Sequence, residues 1–319
     1  MAAMSDEPET FVFLLLENFS HMPLSCAIEA LRIANLTAER DIYDWKLASA
    51  DGVEARSSNG TVTRVDFGLD THHPHATVVA VAGLDAKRHV TAEVKTWLRW
   101  HDRHGDGKIG AICCGAYALA EAGLLADRAC ALHWEYHDAF MEDHPDVDLK
   151  PSVFVKDGRF FSASGGAAAT DLALSLIEDA HGEELARQTA ERLVLSSVRT
   201  EHDGQRSGAA GRIGLKNPRL AKAVELMESR LDEPIRTSEI AAEVGLSTRQ
   251  LERLCGRYLH CSPKKFRMEA RLMRARHLLR QTDMSVINVA MACGFTSPSH
   301  FSKCYRARFA ETPYERKTG

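Results

Sequence analysis

Cys113 lies where a protein could place a nucleophile or bind an anion. The apolar run that starts at Ile109 predicts a strand that ends at Cys113 and passes directly into a helix near Tyr117. A residue at such a junction occupies a strained turn that exposes its side chain above the sheet. The amides of Cys114 and Gly115 would open the helix, where backbone N–H groups favour a carboxylate.

A histidine and several aromatic residues are expected near this cysteine. His133 follows a predicted short helix and strand, as it would if its ring approached Cys113. A Cys paired with a His can act as a thiol nucleophile in amide or aldehyde chemistry. The same cleft could instead bind a small molecule, and aromatic walls suit a quaternary ammonium group. The predicted lining consists of Phe19, Ser20, His21, Cys113, Cys114, Gly115, Tyr117, His133 and Trp134.

Alternating strands and helices would position these residues. Apolar runs predict strands at residues 11–16, 43–49, 77–83 and 109–113, and helical spacing predicts helices at 24–35, 92–104 and 117–122. Continuous apolar strands that alternate with helices indicate a parallel sheet covered on both faces. The predicted class is therefore α/β, with a flavodoxin-like parallel sheet sandwich in the N-terminal domain.

A Gly-centred pattern occurs twice near the end of the chain. The first copy reads IAAEVGLS from Ile240, and the second reads VAMACGFT from Val289. In each copy an apolar helical face leads to a glycine, Gly245 or Gly294, that can adopt a left-handed turn before a second helix. An ordinary helical hairpin would explain either copy alone. The duplication favours an all-α domain with two helix-turn-helix units, whose second helices enter the DNA major groove.

Helical spacing divides each second helix into a buried face and an outward face. Leu251 and Cys255 are predicted to face inward in the first copy, and Phe301 and Tyr305 in the second. Among outward residues, Arg can bond guanine, Glu can accept from cytosine, and Lys can reach guanine or phosphate. The predicted DNA-binding residues are Ser247, Arg249, Gln250, Glu252 and Arg253, then Ser297, Ser299, His300 and Lys303.

A long helix is predicted to join the two copies over Pro263–Gln281. At about 27 Å it would span nearly the distance of about 34 Å between successive major grooves. Ser-Pro at 262–263 and Thr-Pro at 312–313 recur after each copy and are predicted to end it. The apolar residues at helical spacing on the joining helix are Phe266, Ala270, Met273 and Leu278.

Residues 217–315 resemble the DNA-binding domain of the AraC/XylS family, which holds two helix-turn-helix units on a linking helix. The strand that ends at Cys113, with His133 downstream, resembles the PfpI-like, class I glutamine-amidotransferase-like fold. The combination resembles the GlxA-like regulators over nearly the whole chain. Further matching stretches are AIEALRIAN at 27–35, AGLL at 122–125 and SGGAAATDL at 164–172.

Enzymes of the amidotransferase-like superfamily usually place an acidic residue from the first strand-to-helix loop beside the Cys. In this chain the loop reads NFSHMP from Asn18, and the matching position is Pro23. Glu17 comes too early, and Glu29 lies on the following helix. Without that carboxylate nothing evident tunes the thiol, so no catalytic residue, cofactor or metal is predicted. The alternative is a thiol-dependent amidase or hydrolase with a DNA-binding appendage.

The resemblance implies a transcriptional regulator, mainly an activator of catabolic genes, that binds promoter DNA as a homodimer and acts with RNA polymerase. Its implied effector is a quaternary amine such as glycine betaine or carnitine, or an amino acid such as arginine. Residues 1–198 would form the effector-sensing and dimerisation domain, 199–216 a linker and 217–315 the DNA-binding domain. A scaffold that uses the first domain only for dimerisation is a further alternative.

Charge is unevenly distributed along the chain. Residues 217–319 contain 19 Lys and Arg against 11 Asp and Glu, whereas residues 1–216 contain 21 against 33. A basic segment favours phosphate contacts, and an acidic remainder limits indiscriminate binding to nucleic acid. Residues 199–216 are rich in Gly and polar side chains without an apolar period, which predicts a flexible linker.

With 319 residues and 45% hydrophobic content, the chain can form two domain cores. The apolar run at 11–16 is too short for a membrane span or a secretory signal, so a cytoplasmic protein is expected. The eight cysteines include no CxxC pair, which argues against a zinc site. Buried thiols are predicted at Cys26, Cys130, Cys255, Cys261, Cys293 and Cys304.

Overall fold

The computed structural model describes residues 7–205 and 217–318, which belong to two units, 1–205 and 206–319. The first unit is built on a six-stranded sheet in the order β2-β1-β5-β6-β10-β9. Its strands are β1 (Glu9–Leu15), β2 (Tyr43–Ala48), β5 (Thr77–Ala82), β6 (Ile109–Cys113), β9 (Phe154–Asp157) and β10 (Phe160–Ala163). All neighbours pair in parallel except β9, which runs antiparallel to β10.

Two shorter strand pairs flank this sheet. They are β3 (Glu54–Arg56) with β4 (Val62–Arg64), which are antiparallel, and β7 (Ala129–Ala131) with β8 (Asp148–Lys150), which are parallel. Every residue of β5 and β6 is buried, as expected for central strands of a sheet that is covered on both faces. The α/β class predicted for this part of the chain is confirmed.

Helices between the strands supply the covering layers. They are α1 (His21–Ala38), α2 (Ala86–His89), α3 (Ala92–His104), α4 (Ala116–Glu121), α5 (His137–Asp143), α6 (Ala168–His181) and α7 (Glu183–Arg192), with a 3₁₀ turn at Trp134–Tyr136. Helix α1 starts earlier than the predicted residue 24. Its buried residues Leu24, Ala27, Leu31 and Ala34 recur at helical spacing and pack into the core of the first unit.

The second unit is all-α in its described residues, as predicted. Its helices are α8 (Pro218–Ser229), α9 (Thr237–Glu243), α10 (Thr248–Tyr258), α11 (Pro263–Gln281), α12 (Val286–Ala292), α13 (Pro298–Phe309) and α14 (Pro313–Thr318). Gly245 has φ +68° and Gly294 has φ +74°, so both turn glycines adopt the predicted left-handed conformation. Within residues 7–205 and 217–318, no helix combines the length and hydrophobicity that a membrane crossing needs.

Two predictions about the second unit are wrong. The Ser262-Pro263 and Thr312-Pro313 pairs begin helices rather than end units. The Ser262 hydroxyl accepts a 3.2 Å bond from the Lys265 amide, and the Thr312 hydroxyl accepts a 3.2 Å bond from the Glu315 amide.

The predicted apolar stripe of α11 is also displaced. Met273 is 37% exposed, whereas the neighbouring Leu272 is 3% exposed. The buried residues of this helix are Pro263, Leu272, Ala275, Leu278 and Leu279, because the helix packs against elements of both helix-turn-helix copies.

The first unit extends beyond its predicted end at residue 198. Arg199 donates from Nε and Nη2 to the Asp171 carboxylate at 2.9 and 2.5 Å, and the Val153 amide donates to the Asp203 carbonyl at 2.8 Å. These bonds attach residues 199–205, predicted as linker, to the first unit. The rest of the predicted linker, residues 206–216, lies outside the described residues.

The buried-thiol prediction holds for Cys130, Cys255 and Cys293. It is wrong for Cys26, Cys261 and Cys304, which are only partly covered. Helix periodicity places a residue on a face but does not decide how completely a neighbour covers it. Among the described side chains, no group of three or more His, Cys, Asp or Glu is arranged to hold a metal ion.

Candidate functional site

Cys113 occupies a strained turn at the carboxyl end of β6. Its φ is +59°, a left-handed value that residues other than glycine seldom adopt, and its side chain is 7% exposed. The next residues turn at once into α4. This geometry matches the strand-to-helix elbow predicted from the sequence.

The loops after β1 and β10 approach the Cys113 sulfur, and the loop after β5 packs against the first of them. The Ser20 hydroxyl, after β1, lies 3.3 Å from Cys113 Sγ. A Cβ added to Gly165, after β10, would come within 2.9 Å of the same sulfur. A Cβ added to Gly83, after β5, would come within 2.3 Å of the Asn18 carbonyl oxygen and 2.8 Å of the Ser20 amide nitrogen.

Sequence reasoning did not identify Gly83 and Gly165 as part of the site. Each glycine lies just beyond the carboxyl end of a sheet strand, where a side chain would collide with the loop that carries Ser20 or with Cys113. The available signals were the glycine at the end of the predicted strand 77–83 and Gly165 in the matched stretch SGGAAATDL at 164–172. In parallel sheets that edge is where ligands bind.

Hydrogen bonds make the Cys113 thiol more acidic than an ordinary cysteine. The Cys114 thiol and then the Ser20 hydroxyl lower the pKa of Cys113, although burial and the negative charge of Glu135 act against them. The pKa of Cys114 is raised well above its usual value, first by complete burial and then by its bond to Cys113. The site therefore pairs a more acidic thiol with an inert one.

The residue that faces the sulfur from the first loop is Ser20, and not Pro23 as aligned from the sequence. Pro23 is buried within the first turn of α1. Glu17 accepts a 3.2 Å hydrogen bond from the Arg56 amide. Of the residues that the structure describes, those hydrogen-bonded to Cys113 Sγ are Ser20 and Cys114, and neither is a carboxylate.

Several predicted lining residues are occupied by the fold itself. The Gly115 amide donates to the Ile112 carbonyl at 3.0 Å, because the elbow folds back on β6, so this amide is not available to an anion. Phe19 and Cys114 are fully buried, and Tyr117 is 3% exposed. The Tyr117 and Phe140 rings pack edge to face, with their centroids 5.0 Å apart. The fold therefore gives these three side chains core positions.

The remaining lining candidates are partly exposed. His21 lies 3.5 Å from the Asn59 side-chain amide. His133 accepts a 3.5 Å hydrogen bond from the Glu135 amide, and its ring is 5.8 Å from that of Trp134. Burial lowers the pKa of His133. Among the described residues its hydrogen-bond partner is Glu135 rather than Cys113, so the predicted Cys–His pair is not formed.

The end of the first unit is bound to the loop that carries His133. The Gln205 side-chain amide donates to the carbonyl oxygens of Leu132 at 2.8 Å and Ser152 at 3.0 Å. The His137 ring nitrogen Nε2 also bonds Leu132 O at 2.8 Å. Residues 132–137 are thus joined directly to the last described residue of the first unit.

A cavity of about 600 Å³ lies apart from this loop, between α6, α7 and residues 195–202.

In the first helix-turn-helix copy, α10 begins with a reciprocal cap. The Ser247 hydroxyl accepts from the Gln250 amide at 3.2 Å, and Gln250 Oε1 accepts from the Ser247 amide at 2.8 Å. Leu251 and Cys255 are completely buried. The outward residues Arg249, Glu252 and Arg253, together with the capping pair, are all exposed.

The second copy repeats this arrangement in α13. Ser297, rather than Ser299, caps the helix by accepting from the His300 amide at 3.3 Å. Phe301 and Tyr305 are completely buried. Ser297, Ser299, His300 and Lys303 are exposed, and the His300 ring lies along its own helix, 3.4 Å from Cys304 Sγ.

Comparisons with known proteins agree with both halves of this description. The DJ-1/PfpI family matches residues 9–179, and the helix-turn-helix domain family matches residues 240–318. The HTH-type transcriptional regulator GbdR of Pseudomonas aeruginosa is 42% identical over 312 residues, which cover 98% of this chain and 85% of GbdR. The chain belongs to the AraC-type transcriptional regulators that carry a DJ-1/PfpI domain.

This regulator is also 34% identical to the HTH-type transcriptional regulator GlxA of Rhizobium meliloti over 98% of its own length and 97% of GlxA. The solved structure of an AraC family transcriptional regulator from Pseudomonas putida matches 58% of the present chain and 100% of its own chain. The TM-score of this match is 0.53, and the sequence identity is 27%. The predicted GlxA-like resemblance is confirmed, and DNA binding through the helix-turn-helix domain follows from the family.

Proposed function

We propose that the regulator senses a small metabolite at the strand ends around Ser20 and Cys113 and adjusts promoter binding in response. The observation that carries the proposal is the approach of the loops after β1 and β10 to Cys113, with the Ser20 hydroxyl beside the thiol where the resemblance would place a carboxylate. The elbow offers a ligand a hydroxyl and a thiol, and the described hydrogen-bond partners of the thiol include no acid–base group that thiol chemistry would use. In this proposal the first unit binds its ligand and does not transform it.

The proposed effector is a quaternary amine such as glycine betaine or carnitine, or an amino acid such as arginine. The partly exposed Trp134 ring favours a cationic group through its π face, and the rings of His21 and His133 are also partly exposed. The Ser20 hydroxyl and Cys113 thiol supply polar contacts at the base of the cleft. Phe19 and Tyr117 would support the cleft from the core rather than touch the ligand.

The proposed output is transcription activation by a cytoplasmic homodimer that binds promoter DNA and contacts RNA polymerase. Support for the DNA contacts comes from the net charge of about +8 over residues 217–319 and from the exposed side chains of α10 and α13. Support for coupling comes from Gln205, which joins the His133 loop to the start of the connection between the units. A ligand shifts DNA binding only if it binds the DNA-competent arrangement more tightly.

Thermal unfolding of the full-length protein tests the effector proposal with glycine betaine, carnitine and arginine as separate probes. A ligand at about a hundred times its Kd stabilises the folded state by about 2.7 kcal/mol. We expect one probe to raise the Tm of wild type, with a smaller but retained rise for both Cys113→Ala and Ser20→Ala. Cys26→Ala is the control, because it removes a partly exposed thiol that lies on α1, six residues after Ser20.

Product analysis of the same mixtures separates sensing from catalysis. Unchanged ligand after prolonged incubation, with a retained Tm response in Cys113→Ala, supports the sensor. Turnover by wild type that disappears in Cys113→Ala would overturn it in favour of a thiol enzyme with a DNA-binding appendage.

A further inference from the structure

The two helix-turn-helix copies have separate apolar cores. The first core contains residues of α8, α9 and α10 and extends onto α11 only as far as Phe266. The buried residues of the second copy, among them Val289, Phe301 and Tyr305, are not part of that cluster. In the described part of the second unit, α11 therefore joins two cores that do not merge. Contacts beside α11 must limit how one copy rotates against the other.

A polar contact next to Arg271 lies between the two copies. Arg271, on α11, donates from Nε to the Leu231 carbonyl at 2.6 Å and from Nη2 to the Glu233 carbonyl at 3.2 Å. Leu231 and Glu233 belong to the loop between α8 and α9 of the first copy. The turn glycine of the second copy, Gly294, lies against the Leu231 carbonyl and the Arg271 guanidinium. A Cβ there would come within 2.4 Å of Leu231 O and 2.7 Å of Arg271 Nη2.

The corresponding glycine of the first copy makes no such contact. Gly245 has nearly the same backbone conformation as Gly294, with φ +68° against +74°. Among the described residues, and apart from its two chain neighbours, no atom would lie within 4 Å of a Cβ at Gly245. The conformation of the turn alone therefore explains a glycine at both positions. The close approach to Leu231 and Arg271 is an additional requirement at Gly294.

Arg267 provides a comparison on the same helix, four residues earlier. It donates to the carbonyls of Ile235, Arg230 and Glu233, at 2.6, 2.9 and 2.8 Å, so it binds the same loop of the first copy. The three described atoms nearest to a Cβ at Gly294 belong to Leu231 and Arg271, and none of them to Arg267. Arg267 thus anchors the loop to α11, whereas Arg271 also joins it to the turn of the second copy.

We propose that the contact of Gly294 with Leu231 and Arg271 fixes the relative placement of α10 and α13, and so sets the spacing between the two DNA elements that one subunit reads. Gly294 and Arg271 are then specificity-determining residues that touch no base. This inference rests on the proposed DNA contacts of α10 and α13.

The physical consequence is a strict dependence on spacer length. One inserted base pair moves the second element by about 3.4 Å along the helix axis and turns it by about 35°. A rigid pair of recognition helices cannot follow both changes and loses the contacts of one element. A pair that can reorient recovers part of them.

The test uses full-length protein and a duplex library with a randomised core, from which wild type selects its binding sequence. Kd is then measured for that duplex and for duplexes with one base pair inserted or removed between the two elements. We expect wild type to lose roughly tenfold in affinity per change in spacer, comparable to a mismatched base pair. Gly245→Ala and Arg267→Gln should keep this ratio, whatever their overall affinity.

Gly294→Ala should reduce the spacer penalty to less than about threefold. Its affinity for each isolated element should fall by no more than the loss of one base contact would cause. Arg271→Gln is the second variant, because it leaves the backbone of the turn unchanged. It decides the outcome if circular dichroism shows that Gly294→Ala does not fold. If Arg271→Gln and folded Gly294→Ala both keep the wild-type spacer penalty, this inference is overturned and the proposed DNA contacts are not affected. A wild-type protein that enriches no sequence overturns the proposed DNA contacts as well.

Discussion

The side-chain amide of Gln205 donates a 2.8 Å hydrogen bond to the carbonyl oxygen of Leu132, the residue before His133. The same oxygen is bonded by the His137 ring at 2.8 Å. Gln205 also lies beside β9, where its backbone amide donates to the Pro151 carbonyl at 3.1 Å. One side chain therefore links the loop on the candidate effector site to the point where the first unit ends.

Replacing Gln205 with Leu is expected to uncouple effector binding from DNA binding. The apolar side chain cannot bond Leu132 O, so residues 132–137 lose their side-chain link to the end of the first unit. The effector-induced Tm shift should persist, whereas the effector-induced change in promoter Kd, typically 5–150-fold for coupled sites, should fall below about threefold. Gln188→Leu is the control, because the side-chain partner of Gln188 among the described residues is Glu184 on the exposed face of α7. An unchanged effector response in Gln205→Leu would contradict the role of this contact.

Ser20→Ala is expected to make the Cys113 thiol less acidic. After the Cys114 thiol, the Ser20 hydroxyl is the side chain that lowers the pKa of Cys113 by hydrogen bonding. Its loss should move the pH profile of Cys113 alkylation by iodoacetamide to higher pH, followed by mass spectrometry of the Cys113 peptide. Ser285→Ala serves as control, since that hydroxyl caps α12 through the Asn288 amide. Identical Cys113 profiles in wild type and Ser20→Ala would show that the 3.3 Å contact has no electrostatic effect.

Acidification is expected to destabilise the first unit through His101. Its neutral ring is bonded on both sides, with Nδ1 donating to the Trp97 carbonyl at 3.0 Å and Nε2 accepting from the His73 amide at 3.3 Å. Burial is the main cause that lowers the pKa of His101 to about 4, from 6.5. Because the unfolded chain takes up the proton first, stability is full above about pH 6.5 and falls as pH decreases toward 4. The total loss is up to about 3 kcal/mol at 1.36 kcal/mol per pKa unit.

Urea unfolding between pH 7 and pH 4 measures this dependence. His101→Gln should flatten it, because Gln does not titrate in this range. His72 and His73 also face His101, and their charges oppose its protonation. A His101→Gln variant with the wild-type slope would contradict the role of His101.

Arg253→Ala is expected to weaken specific DNA binding by about 1–3 kcal/mol and to relax the preference at one base. Arg253 is exposed on α10, opposite the buried Leu251 and Cys255. Competition binding against duplexes that differ at single positions measures both effects. Arg257→Ala is the matched control on the same helix, since its guanidinium lies over the Tyr258 ring at 5.4 Å. A uniform loss across all sequences, with a reduced salt dependence, would assign Arg253 to a phosphate.

The spacing of residues along the chain was sufficient to predict much of the architecture. The joining helix spans Pro263–Gln281 as predicted, and the Ile109–Cys113 strand turns directly into a helix. Gly245 and Gly294 adopt left-handed turns. These features depend on residues within one or two helical turns of each other, where propensity, capping and apolar periodicity act locally.

The composition of the site was less predictable, because it depends on contacts between distant residues. Ser20, and not Pro23, meets Cys113 across 93 positions in sequence, and Gln205 reaches Leu132 across 73. Phe19 and Tyr117 could be named as aromatic candidates, but only packing decided that their rings belong to the core. The local sequence pattern predicts which face of a helix or strand a side chain occupies, but it does not predict which distant residue that side chain contacts.

The sequence by itself therefore determined the two-part organisation, the elbow at Cys113 and the paired helix-turn-helix units, since each is encoded by short-range order. The tertiary structure alone decided that a hydroxyl rather than a carboxylate faces the thiol, and that Arg271 and Gly294 bring the two DNA-binding copies together. Both outcomes depend on how strand ends and helices pack in space. That packing is set by the sum of many long-range contacts, which no single stretch of sequence contains.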